Sequence, residues 1–225
     1  EPLPALADVD GGLAPDAPAV FDEIGHNLMF EGEWVYGDPD RAFASAARTN
    51  SWRFAQHRQC NAPLEGRAGL VDHDPDTGDV TYHAAHQNPH ALRLFVAELL
   101  RIPAHRFHVR TDDVGGSFGQ KAYISREDVT VCAAGMLLGR PVKWVEDRME
   151  NLQAAGQARE ECFDVEAAYD DDGTVRAVRV AMTLDQGAYQ LTTLPPTIFP
   201  TIVRVLFPSA YRLRDLAFRV RVVAT

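Results

Sequence analysis

The chain has 225 residues, 46% of them hydrophobic and 24% charged, which excludes a disordered, collagen-like or coiled-coil protein. At about 150 residues per domain, this length holds one large or two small domains. With 22 basic and 32 acidic residues the net charge is −10, an acidic balance that disfavours binding to nucleic-acid phosphates.

Residues 1–20 are rich in Pro, Ala and Asp. Pro2, Pro4, Pro15 and Pro18 argue against a regular element, so an extended linker or surface arm is expected, pinned by Leu3, Leu6 and Val20. The rest, 21–225, is expected to form one partial domain. Glu31–Tyr36 and Thr49–Gln56 read as strands around a short helix, Asp40–Ala47, that starts after Asp38-Pro39. Ala68–Asp72 and Val80–His86 read as a hairpin closed by the turn residues 74–79.

His90–Arg101 has the spacing of an amphipathic helix, with Leu92, Phe95, Val96, Leu99 and Leu100 on one face. Pro89 suits its first turn, and Pro103 follows its end. Phe107–Arg110 is a short strand. Ser125–Leu138 is a second helix, with Ser125 and Asp128 as a capping box and Gly139 as C-cap. Its expected apolar face is Val129, Cys132, Ala133, Met136 and Leu137. Pro141–Glu146 is a strand. Glu161–Tyr169 and Thr174–Leu184 flank Asp170-Asp171-Asp172-Gly173, a strong hairpin signal. A Pro-rich apolar run, Leu194–Pro208, and a strand-like run from Phe218 to Thr225 follow. Helices and strands alternate in the middle and hairpins dominate the flanks, which predicts an α+β fold with a mixed sheet and packed helices.

No apolar run approaches the ~18–20 residues needed to cross a membrane. Cys60, Cys132 and Cys162 are odd in number and widely spaced, which is neither a disulfide framework nor a zinc motif. A reducing compartment is the simpler expectation. No signal or transit peptide is recognised, and the chain is expected to be a piece of a larger protein.

Two segments carry candidate chemistry. Gly115-Gly116-Ser117-Phe118-Gly119 lies between a strand and a helix. Its glycines open backbone torsions closed to other residues, and its N–H groups can cradle an anion or an oxo group. The plainer reading is a tight turn with no ligand. It is neither a Walker motif nor a dinucleotide fingerprint. The second segment is His86-Gln87-Asn88-Pro89, at a strand end before a helix, where amides can bond a ligand; ordinary capping by Asn88 is the plainer reading. The eight histidines form no chelating pair: His83/His86 and His105/His108 are spaced so that, on a strand, they face opposite sides. Asp170–Asp172 lacks the ligand pattern of a calcium loop. Ser117 and Ser125 lack a nucleophile elbow.

The order Gln87-Asn88-Pro89-His90, a helix, then Asp113-Val114-Gly115-Gly116-Ser117-Phe118-Gly119-Gln120-Lys121 resembles the molybdopterin-binding large subunit of the xanthine dehydrogenase/aldehyde oxidase family, which includes carbon monoxide dehydrogenase. Arg126-Glu127-Asp128 and the stretch from Leu138 to Arg148 continue the resemblance in the same order. Asp38-Pro39-Asp40 and Pro63-Leu64-Glu65 also fit. Gln87 and Phe118 lie 31 positions apart, in register with the family's two motifs.

The resemblance implies a partial molybdenum-cofactor-binding domain, with Gln87 as hydrogen-bond donor to a molybdenum oxo ligand. It also implies that Gly115, Gly116, Ser117, Phe118 and Gly119 line the pterin. No direct protein ligand to the metal is implied, since molybdenum is held through the molybdopterin, with or without a cytosine dinucleotide. The implied reaction is hydroxylation of an aldehyde, an N-heterocycle or a related carbon with oxygen drawn from water. Iron–sulfur clusters, with FAD as an option, belong to partner subunits, because this chain has no cysteine pattern for such clusters. The catalytic glutamate and the arginine-containing pocket loop are expected outside this chain. No catalytic residue is therefore assigned here, and the isolated chain is expected to be inactive. Ala122 stands where the purine-oxidising branch has a glutamate, which argues against xanthine as substrate. Expected partners are the rest of the molybdopterin subunit and an iron–sulfur subunit. The expected location is the cytoplasm, with export alongside a partner left open. The competing expectation is a non-catalytic module of the same architecture whose Gly-rich loop is structural or binds an anion.

Overall fold

The computed structural model describes residues 5–189 and 197–225. In chain order its first elements are α1 (Val9–Gly12), β1 (Leu28–Tyr36), α2 (Pro39–Ser45), β2 (Arg48–Gln56), β3 (Gln59–Cys60), β4 (Ala68–His73) and β5 (Val80–Ala84). Then come α3 (Pro89–Leu99), a 3-10 turn (Ala104–Arg106), β6 (Phe107–Arg110), α4 (Arg126–Leu138), β7 (Val142–Val145) and α5 (Arg148–Ala154). The last are β8 (Gln157–Ala158), β9 (Glu161–Tyr169), β10 (Val175–Asp185), α6 (Ile198–Leu206) and β11 (Asp215–Val223). The α+β expectation of mixed sheets with packed helices is met. Residues 21–225, read as one partial domain, divide into two compact units.

One unit comprises the chain up to Arg58 and from Arg159 onward. Its sheet has the order β1-β11-β10-β9-β2. The β9–β10 hairpin forms as expected, closed by Gly173 at φ +85°. β11 lies between β1 and β10, antiparallel to the first and parallel to the second. Parallel neighbours need a long crossover, and here it carries α6. Val180, Met182, Phe218, Val220 and Val222 form the core, and Val203 and Phe207 pack onto it. The expected arm over 1–20 contains one helical turn, capped by Asp8, whose carboxylate accepts from Gly11 N–H at 2.7 Å. Proline at 15 and 18 lies beyond that turn and does not prevent it. The arm is held by polar bonds as well as by half-buried Leu6 and Val20. Buried Asn27 accepts from Val20 N–H and donates to the carbonyls of Gly12 and Pro18. Pro2, Pro4 and Leu3 lie outside the described residues.

Of the Pro-rich apolar run Leu194–Pro208, residues 194–196 lie outside the described residues. From Ile198 the chain is helical, because Pro200 sits in the first turn, where a missing N–H costs nothing. Phe199, Ile202, Val205 and Leu206 are exposed on the helix. A dye that reports hydrophobic surface is expected to bind the chain, and Ile202→Lys with Val205→Lys is expected to abolish most of that binding. A wild-type chain that is a dye-silent monomer would show the face to be covered.

The other unit, Gln59–Ala158, carries a four-stranded sheet in the order β6-β5-β4-β7. The β4–β5 hairpin forms as expected, and β5 pairs with β6 in parallel. Both helices pack on the sheet through narrower faces than expected. In α3, Leu92, Val96 and Ala97 are buried, but Leu99 is 63% exposed. In α4 the buried positions are Asp128, Val131, Cys132 and Gly135, while Leu137 is 87% exposed. Gly135 lies on that buried stripe: a Cβ there would collide with Val71 of β4, so glycine lets the helix approach the sheet closely. Ser125 and Asp128 form the expected capping box, and Gly139 ends the helix in the left-handed region at φ +59°.

Candidate functional site

Parallel pairing of β5 and β6 places the ends of the two strands side by side, which brings together residues far apart in sequence. Gln87 follows β5, and the Gly-rich loop follows β6. Backbone carbonyls of the second connection take two bonds from the first: Gln87 N–H donates to the Lys121 carbonyl at 2.8 Å, and His86 Nε2 bonds the Tyr123 carbonyl at 3.2 Å. His86 Nδ1 accepts from Asn88 N–H, so its proton sits on Nε2 and both ring nitrogens are occupied. This buried histidine ends β5 two residues earlier than expected. Asn88 caps α3, accepting from Ala91 N–H at 3.2 Å. That leaves Gln87 between strand and helix with its side chain exposed.

The loop is a succession of turns. Gly116 and Gly119 have φ of +94° and +92°, and Phe118 between them has φ +53°, uncommon for a residue with a side chain. The Phe118 carbonyl is held by Asn61 Nδ2 at 2.7 Å, and its ring is 73% exposed. Ser117 Oγ donates to Gln87 Oε1 and accepts from Lys121 N–H.

The backbone donors divide into two sets. Gly115 N–H donates to Glu65 Oε2 at 2.8 Å, and Gly116 N–H to the Val114 carbonyl at 2.9 Å. The N–H groups of Ser117, Phe118 and Gly119 have no hydrogen-bond partner among the described residues, and neither does Gln87 Nε2. All four belong to half-buried or exposed residues. An unpaired cluster of neutral donors suits an electron-rich acceptor such as an oxo group or a pterin heteroatom, without adding a titratable group. Gly115 and Gly116 shape the loop, but their donors are already taken by Glu65 and Val114.

Beneath the loop lie polar residues whose tertiary contacts the sequence did not signal. Lys121 is 1% exposed, and its ammonium pairs with Glu65 at 2.5 Å. The Lys121 bond, joined by Gly115 N–H and opposed by partial burial, holds the Glu65 carboxyl below the usual carboxylate range. Gln120, also buried, accepts from Asn151 Nδ2 at 2.8 Å. Asn151 Nδ2 also donates to Glu146, which accepts from Arg67 N–H and Nε at 2.9 Å each. Burial opposes the charge on Glu146, but the Arg67 bonds outweigh it and lower its pKa. Arg148 donates to the carbonyls of Pro63 and Leu64, fixing the segment that carries Glu65. Among the described residues no three His, Cys, Asp or Glu side chains gather as a metal site, and no helix is long and apolar enough to cross a membrane. The three cysteines are free.

The sequence matches the molybdopterin cofactor-binding domain family over residues 20–225. It is 35% identical over 210 residues to the carbon monoxide dehydrogenase large chain of Afipia carboxidovorans, covering 87% of this chain and 26% of that protein. It is 33% identical over 174 residues to the nicotine 6-hydroxylase large subunit of Paenarthrobacter nicotinovorans, covering 77% and 21%. Among solved structures, quinoline 2-oxidoreductase from Pseudomonas putida 86 superposes with a TM-score of 0.93 at 30% identity, covering 100% of this chain and 28% of the other. Carbon monoxide dehydrogenase from Oligotropha carboxidovorans superposes with a TM-score of 0.89 at 33% identity, covering 100% and 30%. The chain thus spans about a quarter of the length of these curated relatives.

Proposed function

Because the chain belongs to the molybdopterin cofactor-binding domain family of xanthine dehydrogenase-type oxidoreductases, we propose that it supplies one wall of a molybdopterin site in a molybdenum hydroxylase. The observation that carries this reading is the donor cluster of Gln87 Nε2 and the N–H groups of Ser117, Phe118 and Gly119, unpaired on one loop system. These donors would bind and orient the cofactor. Gln87 would face an oxo ligand, and Gly115 and Gly116 would serve by shaping the turn. The bound molybdenum centre supplies two-electron oxidation of a carbon with oxygen from water, the carbon being that of an aldehyde, an N-heterocycle or a related compound.

Proton transfer needs a carboxylate base near the substrate. Glu65 does not serve, since Lys121 and Gly115 already hold its carboxylate. The base would come from outside residues 1–225, as would the iron–sulfur clusters, carried by a partner subunit, and any FAD. The relatives' greater length and the words "large chain" and "large subunit" in their names support this. Whether a cytosine dinucleotide extends the pterin is decided by its release on acid hydrolysis.

The test has two parts. The assembled enzyme should carry about one molybdenum per copy of this chain; a metal-free, active enzyme would overturn the assignment. The chain alone should give no turnover of aldehydes or N-heterocycles with dye acceptors. Clear turnover would show that the base lies within it.

A further inference from the structure

Lys121 has an unusual position. Its ammonium is buried, which is unfavourable unless it is well paired. An apolar side chain of the same length would fill the space without that cost, so the charge calls for a reason. Among the described residues its partner is Glu65, on a segment 56 positions away, and Glu65 passes the restraint on: the same Oε2 accepts from Gly115 N–H, the first residue of the loop. A Cβ on Gly115 would meet Glu65 Cβ at 2.7 Å, so the two are in close apposition. The backbone of Lys121 holds the other end, donating to Ser117 Oγ and accepting from Gln87 N–H. One residue therefore connects the start of the loop, its serine and the donor glutamine.

We propose that Lys121 is a positioning residue, whose ammonium acts through the Glu65 carboxylate to hold the Gly115–Gly119 turn and Gln87 in a single arrangement. This rests on the reading of that turn as the cofactor wall. The side chain makes no hydrogen bond to Gln87 or to the free N–H groups among the described residues; it restricts the loop that carries them. Without the ammonium, Gly115 N–H faces a carboxylate free to turn to water, and the loop samples other torsions.

The experiment uses the assembled enzyme, with Lys121→Met and, approached from the half-exposed side, Glu65→Ala. Three quantities are read: amide exchange by residue, the melting temperature, and molybdenum per folded chain. Loss of a charge-assisted bond predicts exchange about 10- to 100-fold faster at the bonded amides of the loop system, those of Gly116, Gln120, position 121 and Gln87. The rest of unit 59–158 should exchange at the wild-type rate, and molybdenum content should fall in both variants. Lys121→Arg, which keeps the cation, should recover part of both effects. Unchanged exchange at those four amides in both variants would overturn the proposal. So would faster exchange across the whole unit with a matching drop in melting, because that is the signature of a merely structural ion pair. A wild-type enzyme without molybdenum, but with the loop-confined exchange effect, would retain the positioning role and refute the cofactor reading. Molybdenum in the wild type with no exchange effect would do the reverse.

Discussion

Replacing Gln87 with Ala is expected to lower turnover per bound molybdenum by about 10- to 100-fold in the assembled enzyme, with little change in melting. The side chain is exposed, and its one hydrogen bond, to Ser117, ties up the carbonyl oxygen and leaves Nε2 to donate outward. The backbone bond from Gln87 N–H to the Lys121 carbonyl survives the substitution, and Asn88 still caps α3, so the fold loses little. If Nε2 holds an oxo group of the bound cofactor, as proposed, its loss would remove a charge-directed hydrogen bond of roughly 1.5–3 kcal/mol, which sets the size of the rate effect. Melting, molybdenum content and turnover need to be measured on the same sample. A normal rate per bound molybdenum would sink the assignment. A stable protein that has lost its molybdenum would move the role of Gln87 from the reaction to retention of the cofactor.

Glu146→Ala is expected to destabilise the unit 59–158 strongly, by about 3–5 kcal/mol. Glu146 is fully buried at its side chain and accepts from Arg67 and Asn151; removing it strands the Arg67 guanidinium, which is 8% exposed. Glu127 still holds one end of that arginine at 3.0 Å, which places the cost toward the lower end. Glu146→Gln keeps acceptors for some of these donors and should cost less. The exposed pair Arg48–Asp171, with side chains 63% and 74% accessible, is the comparison, and Arg48→Ala should change stability by less than about 1 kcal/mol. Denaturant unfolding followed by residue-level exchange separates the two units. A cost for Glu146→Ala no greater than for Arg48→Ala would refute the argument.

The same carboxylate sets a pH dependence. The pKa of Glu146 is lowered from its ordinary value of 4.5, so its contribution is fully present above that value and is lost as pH falls through the lowered one. Glu65 shifts in the same direction and adds to the effect. Acid should therefore loosen the unit 59–158 over this range, and Glu146→Gln should flatten the dependence.

Local signals were readable from the residues alone. The capping box of Ser125 and Asp128, the Gly139 stop, the hairpin over 161–184 and the strand 107–110 all depend on neighbours within a few positions, so the sequence carries them directly. The pairing of a glutamine motif with a Gly-rich loop pointed to the family for the same reason, since each motif is continuous. What failed was how much of each helix the sheet would cover. Periodicity places Leu99 and Leu137 near an apolar face, but a four-stranded sheet beneath α3 and α4 buries only a narrow stripe, whose position in α4 depends on Gly135 fitting against Val71. The α6 helix was missed because proline density masks a helix when the proline falls in the first turn.

Tertiary structure alone set the order β1-β11-β10-β9-β2, in which β11 enters between β10, the strand before it, and β1, the first strand of the chain. It likewise set the contacts under the loop: Asn61 on the Phe118 carbonyl, Lys121 on Glu65, and Asn151 on Gln120. Each joins segments between 30 and 60 positions apart. A single sequence records which side chains can donate or accept, but their meeting depends on where the strands end. Here the parallel pairing of β5 with β6 brings Gln87 to the Gly-rich loop, and long-range chain closure of that kind leaves no periodic trace in the residues themselves.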